Sequence, residues 1–320
     1  MLARAFWAVA LGIGEIRTEA LAEPGADQML VRTIATGVSR GTEALVFAGR
    51  VPPSQYAAMR APLMGGDFPF PVKYGYCAVG RAPDGSRVFV LHPHQDFFHA
   101  PVSMCVPVPD VVPTDRAVLA ANMETAVNIA WDAAPLVGER ILVVGAGVVG
   151  LLTASLLARV PGAIVTVVDT DRSRVALADR FGCRFAEPGD APADQELVVH
   201  ATASEAGLRL ALDRAAFEGR IVEASWYGDR APSVPLGEAF HARRLRLIAS
   251  QVGGVAPAMR GRRTYGQRLA LALDLLADPA YDGLLQGPTP FESLPDAMPA
   301  ILAPGGLCHV ITFGETECSV

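Results

Sequence analysis

Residues 141–169 read ILVVGAGVVGLLTASLLARVPGAIVTVVD. Ile141 to Val144 run straight into Gly145-Ala146-Gly147-Val148-Val149-Gly150, an apolar helical stretch follows, and a second Val-rich run ends at Asp169. Strand, Gly-x-Gly-x-x-Gly turn and helix in this order are the setting in which such glycines bind a dinucleotide. Gly145 is expected to take the tight turn, Gly147 to let backbone approach a pyrophosphate, and Gly150 to let helix and strand pack closely. The helix opening at Val148 and Val149 presents its free N–H groups and dipole to the phosphates. Asp169 stands 169 − 150 = 19 residues after the third glycine, against about 20 in the dinucleotide pattern. Its carboxylate is expected to accept from a ribose hydroxyl and to repel a 2′-phosphate, which favours NAD(H) over NADP(H). Thr170 and Arg174 adjoin it, and Arg172 with Arg174 would soften that preference. The plainer alternative is a Gly-rich turn whose Asp169 only caps a helix.

Strands and helices alternate outward from this segment. ELVVHA (196–201), RIVEAS (220–225) and LRLIAS (245–250) read as strands. DRSRVALADRFG (171–182), EAGLRLALDRAA (205–216) and YGQRLALALDLLAD (265–278) carry helical spacing. Continuous Val/Ile/Leu strands alternating with helices predict a parallel sheet covered on both faces, an α/β doubly wound Rossmann unit. Ligands bind at the carboxyl ends of such strands, so His200, Ala201, Thr202, Ser225 and Trp226 are cofactor-site candidates. TDRAVLAANMETAVNIAWDAA (114–134) reads as one helix with Thr114 as N-cap.

Before residue 115 the chain reads differently. Short apolar runs such as MLVRTIATGVS (29–39) and SRVFVLHP (86–93) alternate with dense prolines, the mark of strands and loops. From about Tyr281 this character returns and ends in HVITF. The N-terminal apolar run is broken by Gly12, Gly14 and Glu15, so an edge strand and turn are expected rather than a leader. No unbroken apolar run reaches the ~18 residues of a membrane span. The five cysteines (77, 105, 183, 308, 318) contain no C-x-x-C pair, consistent with a reduced, cytoplasmic protein. Net charge is −6 and aromatic content 7%, which removes the basic face or stacking platform that nucleic acid requires.

The chain resembles the medium-chain dehydrogenase/reductases, the alcohol dehydrogenase superfamily, over nearly its whole length. The cofactor segment 145–182 is similar throughout, PFPVKYGYCAVGRA (69–82) resembles the segment carrying Gly-His-Glu in zinc members, and TGVSRGTE (36–43) that carrying their first cysteine. The resemblance implies a GroES-like β-rich catalytic domain over 1–115, the Rossmann domain over 116–280 and a return to the catalytic domain over 281–320. It also implies an oxidoreductase acting on CH–OH groups and a homodimer or homotetramer. Catalytic zinc needs three protein ligands around an open position. Here Ser39 stands at the first, Tyr76-Cys77 at the His-Glu pair and Ala121 near the third, with Glu124 close by. The four-Cys structural zinc lobe is missing as well. The chain thus resembles the zinc-lacking branch, and VSRGTE followed by AGRVPP is most similar to the bacteriochlorophyllide a dehydrogenase group.

Hydride chemistry without zinc still requires a proton donor and stabilisation of the alkoxide. Tyr76 is the leading candidate, Lys73 would lower its phenol pKa, and Ser39 and Thr42 would relay a proton. A half-buried tyrosine with a satisfied hydroxyl is the equal alternative for Tyr76. The resemblance places Arg40 on the cofactor pyrophosphate, whereas Glu43 reads as a helix-turn carboxylate. His92, His94, His99 and Asp96 fit no standard zinc spacing. His92, His94, Glu124 and Tyr227 are read as walls of a substrate cleft, with His94 or His92 as an alternative proton donor. Arginines 243, 244, 246, 260, 262 and 263 form a solvated face or, alternatively, receive an anionic small-molecule substrate. The leading expectation is a zinc-independent NAD(H) oxidoreductase of a secondary alcohol/ketone pair. An enoyl or quinone reductase and a non-catalytic dinucleotide sensor or scaffold are the alternatives.

Overall fold

The computed structural model describes residues 1–314, so Cys318 lies outside the described residues. The chain forms two compact units, one of residues 122–268 and one of residues 1–121 with the chain from Leu269 onward. The boundaries expected from sequence lie at 115 and 280. The helix Tyr265–Leu275 crosses the second boundary and carries the chain back earlier than its sequence suggests.

In the unit 122–268 six strands lie side by side and all are parallel. Their order is Arg184–Ala186, Ile164–Val168, Arg140–Val144, Gln195–His200, Ala215–Glu223 and Arg246–Ala249. In chain sequence that is 3-2-1-4-5-6, the doubly wound order, with its reversal beside the strand that feeds the glycine turn. Register sets Val144 against both Val168 and His200. Ile141–Val144, Val165–Val168 and Leu197–His200 are buried throughout, which is why they read as near-continuous aliphatic runs, interrupted only by Thr166 and His200. Helix Glu205–Arg214 is capped by Ser204, whose side chain accepts from the Gly207 N–H. Leu208, Ala211 and Leu212 turn its apolar face onto Leu142, Val198 and Ile221. Truncating either leucine to alanine is expected to cost about 2–5 kcal/mol.

The other unit holds two sheets. One runs Ile13–Ala20, Leu2–Ala10, Val72–Lys73, Gly65–Gly66, so the N-terminal strand is interior to its sheet and not at an edge. The second runs Leu285–Pro290, Cys308–Thr312, Gln28–Val38, Ala78–Arg81, Arg87–Val90, Val106–Pro107, and Phe97–Pro101 also pairs with Gln28–Val38. Strand Gln28–Val38 ends at Ser39, the N-cap of helix Arg40–Phe47.

The expected helix 114–134 is two helices, Thr114–Ala117 and Ala120–Ala133. Thr114 is the first helical residue, and Pro113 takes the cap position with extended φ/ψ. A tight turn from Arg116 O to Leu119 N separates the two, while the Arg116 guanidinium clasps both oxygens of Asp282 at 2.7 and 2.9 Å. Among the described residues no helix is long and apolar enough to cross a membrane. Cys77, Cys105, Cys183 and Cys308 are free and buried.

Candidate functional site

The three glycines of the turn divide their tasks as their geometry requires. Gly145 has φ +113°, a conformation closed to L side chains, and a Cβ there would stand 2.8 Å from the Thr202 methyl. At Gly150 an added Cβ would overlap the carbonyl oxygen of Gly145. A Cβ at Gly147 would meet nothing within 4 Å, so this glycine is not demanded by packing and faces open space at the N-cap of helix Val148–Leu157. No side chain caps that helix, and Val148 and Val149 are half-buried at its start.

Asp169 ties the second strand to this turn. Its Oδ2 accepts the Ala146 N–H at 2.6 Å and its Oδ1 accepts the Asp171 N–H at 2.9 Å. A carboxylate offers about four acceptor positions, so half remain for hydroxyl groups. Arg174 is turned onto Asp171 at 3.1 Å and Arg172 onto Glu187 at 3.0 Å, while Thr170 is exposed.

The neighbouring strand ends carry a polar cluster. His200 is fully buried; its Nδ1 lies 2.8 and 3.0 Å from the two oxygens of Glu223, and its Nε2 lies 2.6 Å from Thr202 Oγ1. Glu223 also accepts the Ser225 N–H at 2.8 Å and the Tyr227 hydroxyl at 3.2 Å. Burial raises the Glu223 pKa, but the His200 contact and the Ser225 donors outweigh it, and the net shift is downward. Burial and Glu223 push the Tyr227 phenol well up. Tyr227 thus bonds within the cluster, and the Ser225 hydroxyl lies 3.0 Å from the Ala203 N–H. Trp226 is half-buried. Glu223 escaped the sequence reading because it ends an otherwise ordinary strand.

The β-rich unit gathers a second group. The Tyr76 hydroxyl donates to Ser39 Oγ at 2.7 Å, and Thr42 also bonds the phenol. Burial, with Tyr74 and Cys77 beside it, holds the Tyr76 pKa well above its ordinary value, so the phenol keeps its proton at neutral pH. Lys73 does not serve it. Its ammonium is committed to Glu19 and, at 2.8 Å, to Gln95 Oε1, which corrects the expected pKa-lowering role. Glu43 takes the part that the sequence did not show. Its Oε1 accepts the Ser39 N–H at 2.7 Å and its Oε2 meets His94 Nε2 at 2.9 Å, while Thr36 Oγ1 lies 2.6 Å from His94 Nδ1. The reach of a helix-start acid back to the cap N–H was the available clue.

The remaining candidates have structural partners. His92 stacks on Phe98 with centroids 3.6 Å apart, and burial lowers its pKa to about 3. It is therefore neutral and enclosed, and His94 is likewise buried, so neither walls an open cleft as expected. Glu124 is buried against Arg268 at 3.0 Å, and the same guanidinium reaches Asn128 Oδ1 at 2.6 Å and the Val252 carbonyl at 2.6 Å. Arg40 donates to the carbonyls of Gly306 at 3.0 Å and Ala303 at 3.1 Å, tying down a loop of its own unit. Arg243 bonds the carbonyls of Asp213 and Ala215, and Arg244 pairs with Glu218, so part of the arginine face is internally engaged. Among the described residues no group of three His, Cys, Asp or Glu side chains could hold a metal ion.

No family model matches the chain. It is 36% identical over 87 residues to L-threonine 3-dehydrogenase of Rhizobium rhizogenes, covering 27% of this chain and 25% of that protein. It is 26% identical over 173 residues to an uncharacterized zinc-type alcohol dehydrogenase-like protein of Haemophilus influenzae, covering 49% of this chain and 50% of that protein. The chain thus spans at most half the length of these two relatives. Solved structures match far more of it. L-idonate 5-dehydrogenase of Escherichia coli superposes with TM-score 0.80 at 12% identity over 98% of this chain and 99% of that one. A Sinorhizobium meliloti dehydrogenase assigned as zinc-binding and bound to NADP gives 0.78 at 15%, again over 98% and 99%. A protein described as a short-chain alcohol dehydrogenase of Escherichia coli, complexed with NADH, gives 0.78 at 15% with the same coverage. At these identities the likeness is one of fold.

Proposed function

We propose that the chain is an NAD(H)-dependent oxidoreductase that interconverts a secondary alcohol and its ketone without a catalytic zinc. One observation carries this reading: the glycine turn and Asp169 are locked together at the reversal point of a 3-2-1-4-5-6 parallel sheet. The dehydrogenase names of the superposed structures agree with the chemistry. Preference for NAD(H) rests on the carboxylate of Asp169 and on the engagement of Arg172 and Arg174 with Glu187 and Asp171. A 2′-phosphate would meet like charge there.

When bound, the nicotinamide supplies or takes the hydride. Of the chain's own residues, Tyr76 holds the proton that a forming alkoxide would take, and Ser39 and Thr42 fix the direction of that hydroxyl. The donor set does not suit zinc. Ser39 is a hydroxyl engaged by Tyr76, burial keeps the Cys77 thiol protonated by raising its pKa well above the ordinary value, and Glu124 is spent on Arg268.

The test is a fluorescence titration of purified chain with NADH and NADPH, alongside metal analysis and a panel of secondary alcohols. NADH is expected to bind at least about tenfold more tightly, the effect of ~1.4 kcal/mol. Equal affinities would sink the cofactor assignment, one zinc per chain the zinc-independent mechanism, and no turnover of any alcohol the enzymatic reading.

A further inference from the structure

The proposed chemistry makes no use of the buried pair His200–Glu223, although it lies at the carboxyl ends of two adjacent strands of the dinucleotide unit. A carboxylate only accepts, so the Nδ1 of a neutral His200 carries the hydrogen toward Glu223. Nε2 is then left to accept the Thr202 hydroxyl at 2.6 Å, and Thr202 Oγ1 in turn meets Ser204 Oγ at 2.8 Å. With its hydroxyl held, Thr202 has one direction for its methyl, and that methyl stands 2.8 Å from where a Cβ on Gly145 would be. The helix side is built for the same contact. A Cβ on Gly207 would stand 2.7 Å from His200 Nε2, so only glycine lets the helix close on the pair.

We propose that His200, fixed by Glu223, is a positioning residue that holds Thr202 against Gly145 and so keeps the glycine turn in the shape that receives a pyrophosphate. The inference rests on the dinucleotide reading above and deepens it. It makes two strand-end residues, at first sight direct cofactor ligands, parts of a support behind the turn. Preorganised support of this kind tightens binding by removing ordering that the ligand would otherwise impose.

The probe is ADP-ribose, which carries the pyrophosphate and lacks the nicotinamide, with NADH measured in parallel. His200→Leu keeps bulk and frees Thr202; it is expected to weaken both ligands to the same degree, about tenfold, the scale of one lost buried hydrogen bond. His200→Gln can donate to Glu223 and accept from Thr202, and is expected to stay within about threefold of wild type. Thr202→Val keeps the methyl and drops the hydroxyl; it should resemble His200→Leu, and the double variant should be no worse than either single. An unchanged affinity in both single variants, full additivity in the double, or a His200→Gln as weak as His200→Leu would each overturn the proposal. Thr202→Val is mild enough to keep the test open should His200→Leu fail to fold. A wild-type chain that bound neither ligand would strike the dinucleotide reading itself, whereas wild-type binding with unaltered variants would remove only the positioning role.

Discussion

Glu124 separates a structural carboxylate from a functional one, because the two roles predict opposite patterns of damage. Its side chain is 7% exposed and that of its partner Arg268 is 2% exposed. Truncation to alanine leaves the guanidinium with neutral acceptors, the Asn128 amide oxygen and the carbonyls of Val252 and Gly254, and no carboxylate at 3.0 Å. Stranding a buried charge in this way costs about 3–5 kcal/mol. With a urea slope of about 2 kcal/mol per molar, the unfolding midpoint is expected to fall by about 1.5–2.5 M. Glu124→Gln keeps an acceptor for Arg268 Nε and loses the charge, which is worth about 1.5–3 kcal/mol, so its midpoint should fall by roughly half as much. Glu124→Leu combined with Arg268→Met removes both charges and is expected to recover part of the loss, a coupling of opposite sign to the single effects. Circular dichroism through a urea titration reads all four proteins. If Glu124 instead touched a substrate or a metal, Glu124→Gln would fold like wild type and lose turnover. That outcome, or a Glu124→Ala midpoint within about 0.3 M of wild type, would refute the assignment to the buried network.

Tyr76→Phe removes the protonated phenol and leaves the ring, so turnover is expected to fall at least about tenfold with the melting temperature nearly unchanged; an unaltered rate removes Tyr76 from the mechanism. Gly150→Ala drives a Cβ into the Gly145 carbonyl and should lower the melting temperature and abolish NADH binding. Gly147→Ala enters open space, so it should melt like wild type while weakening NADH; similar behaviour of the two in both assays would contradict the roles assigned to them. His92 falls from 6.5 unfolded to about 3 in the fold, mainly through burial. Between those values the unfolded chain takes up a proton that the folded chain refuses, so stability declines as pH drops across that window. His92→Phe keeps a ring on Phe98 and should flatten that decline in urea titrations at pH 7 and pH 4; parallel declines would refute the linkage.

The parts of this protein legible in its sequence are those whose causes are local. Ile141 to Val144 and Val165 to Val168 are buried on both faces, so burial writes itself as a near-continuous aliphatic run and the strands can be placed from it. Gly145 and Gly150 were legible for the same reason, since each is required by backbone within a few residues or by the next strand end, whereas Gly147 was legible only through the pattern it completes. Helix 114–134 was not, because spacing shows a helical face but not that Arg116 turns toward Asp282, 166 residues later.

The candidate site failed to read out wherever a charge finds its partner across the fold. Lys73 sits three residues before Tyr76, and proximity in sequence suggested that its charge would act on the phenol. In the folded unit the alternation of strand Val72–Lys73 sends it to Glu19 and Gln95 instead. Glu43 and His94 are 51 positions apart and Glu223 and His200 are 23 apart, yet each pair is shut away together. Burying an imidazole or a carboxylate alone would cost several kcal/mol, so each must bring a partner, and the partner is set by topology rather than by spacing. It follows that a strand-end histidine in such a sheet is a poor sign of a ligand on its own. The discriminating question is whether a carboxylate ends the adjacent parallel strand in register, as Glu223 does opposite His200. Where it does, the histidine's Nδ1 is already engaged, and its influence on the ligand has to pass through whatever Nε2 holds. Here that group is Thr202, and beyond it the turn at Gly145.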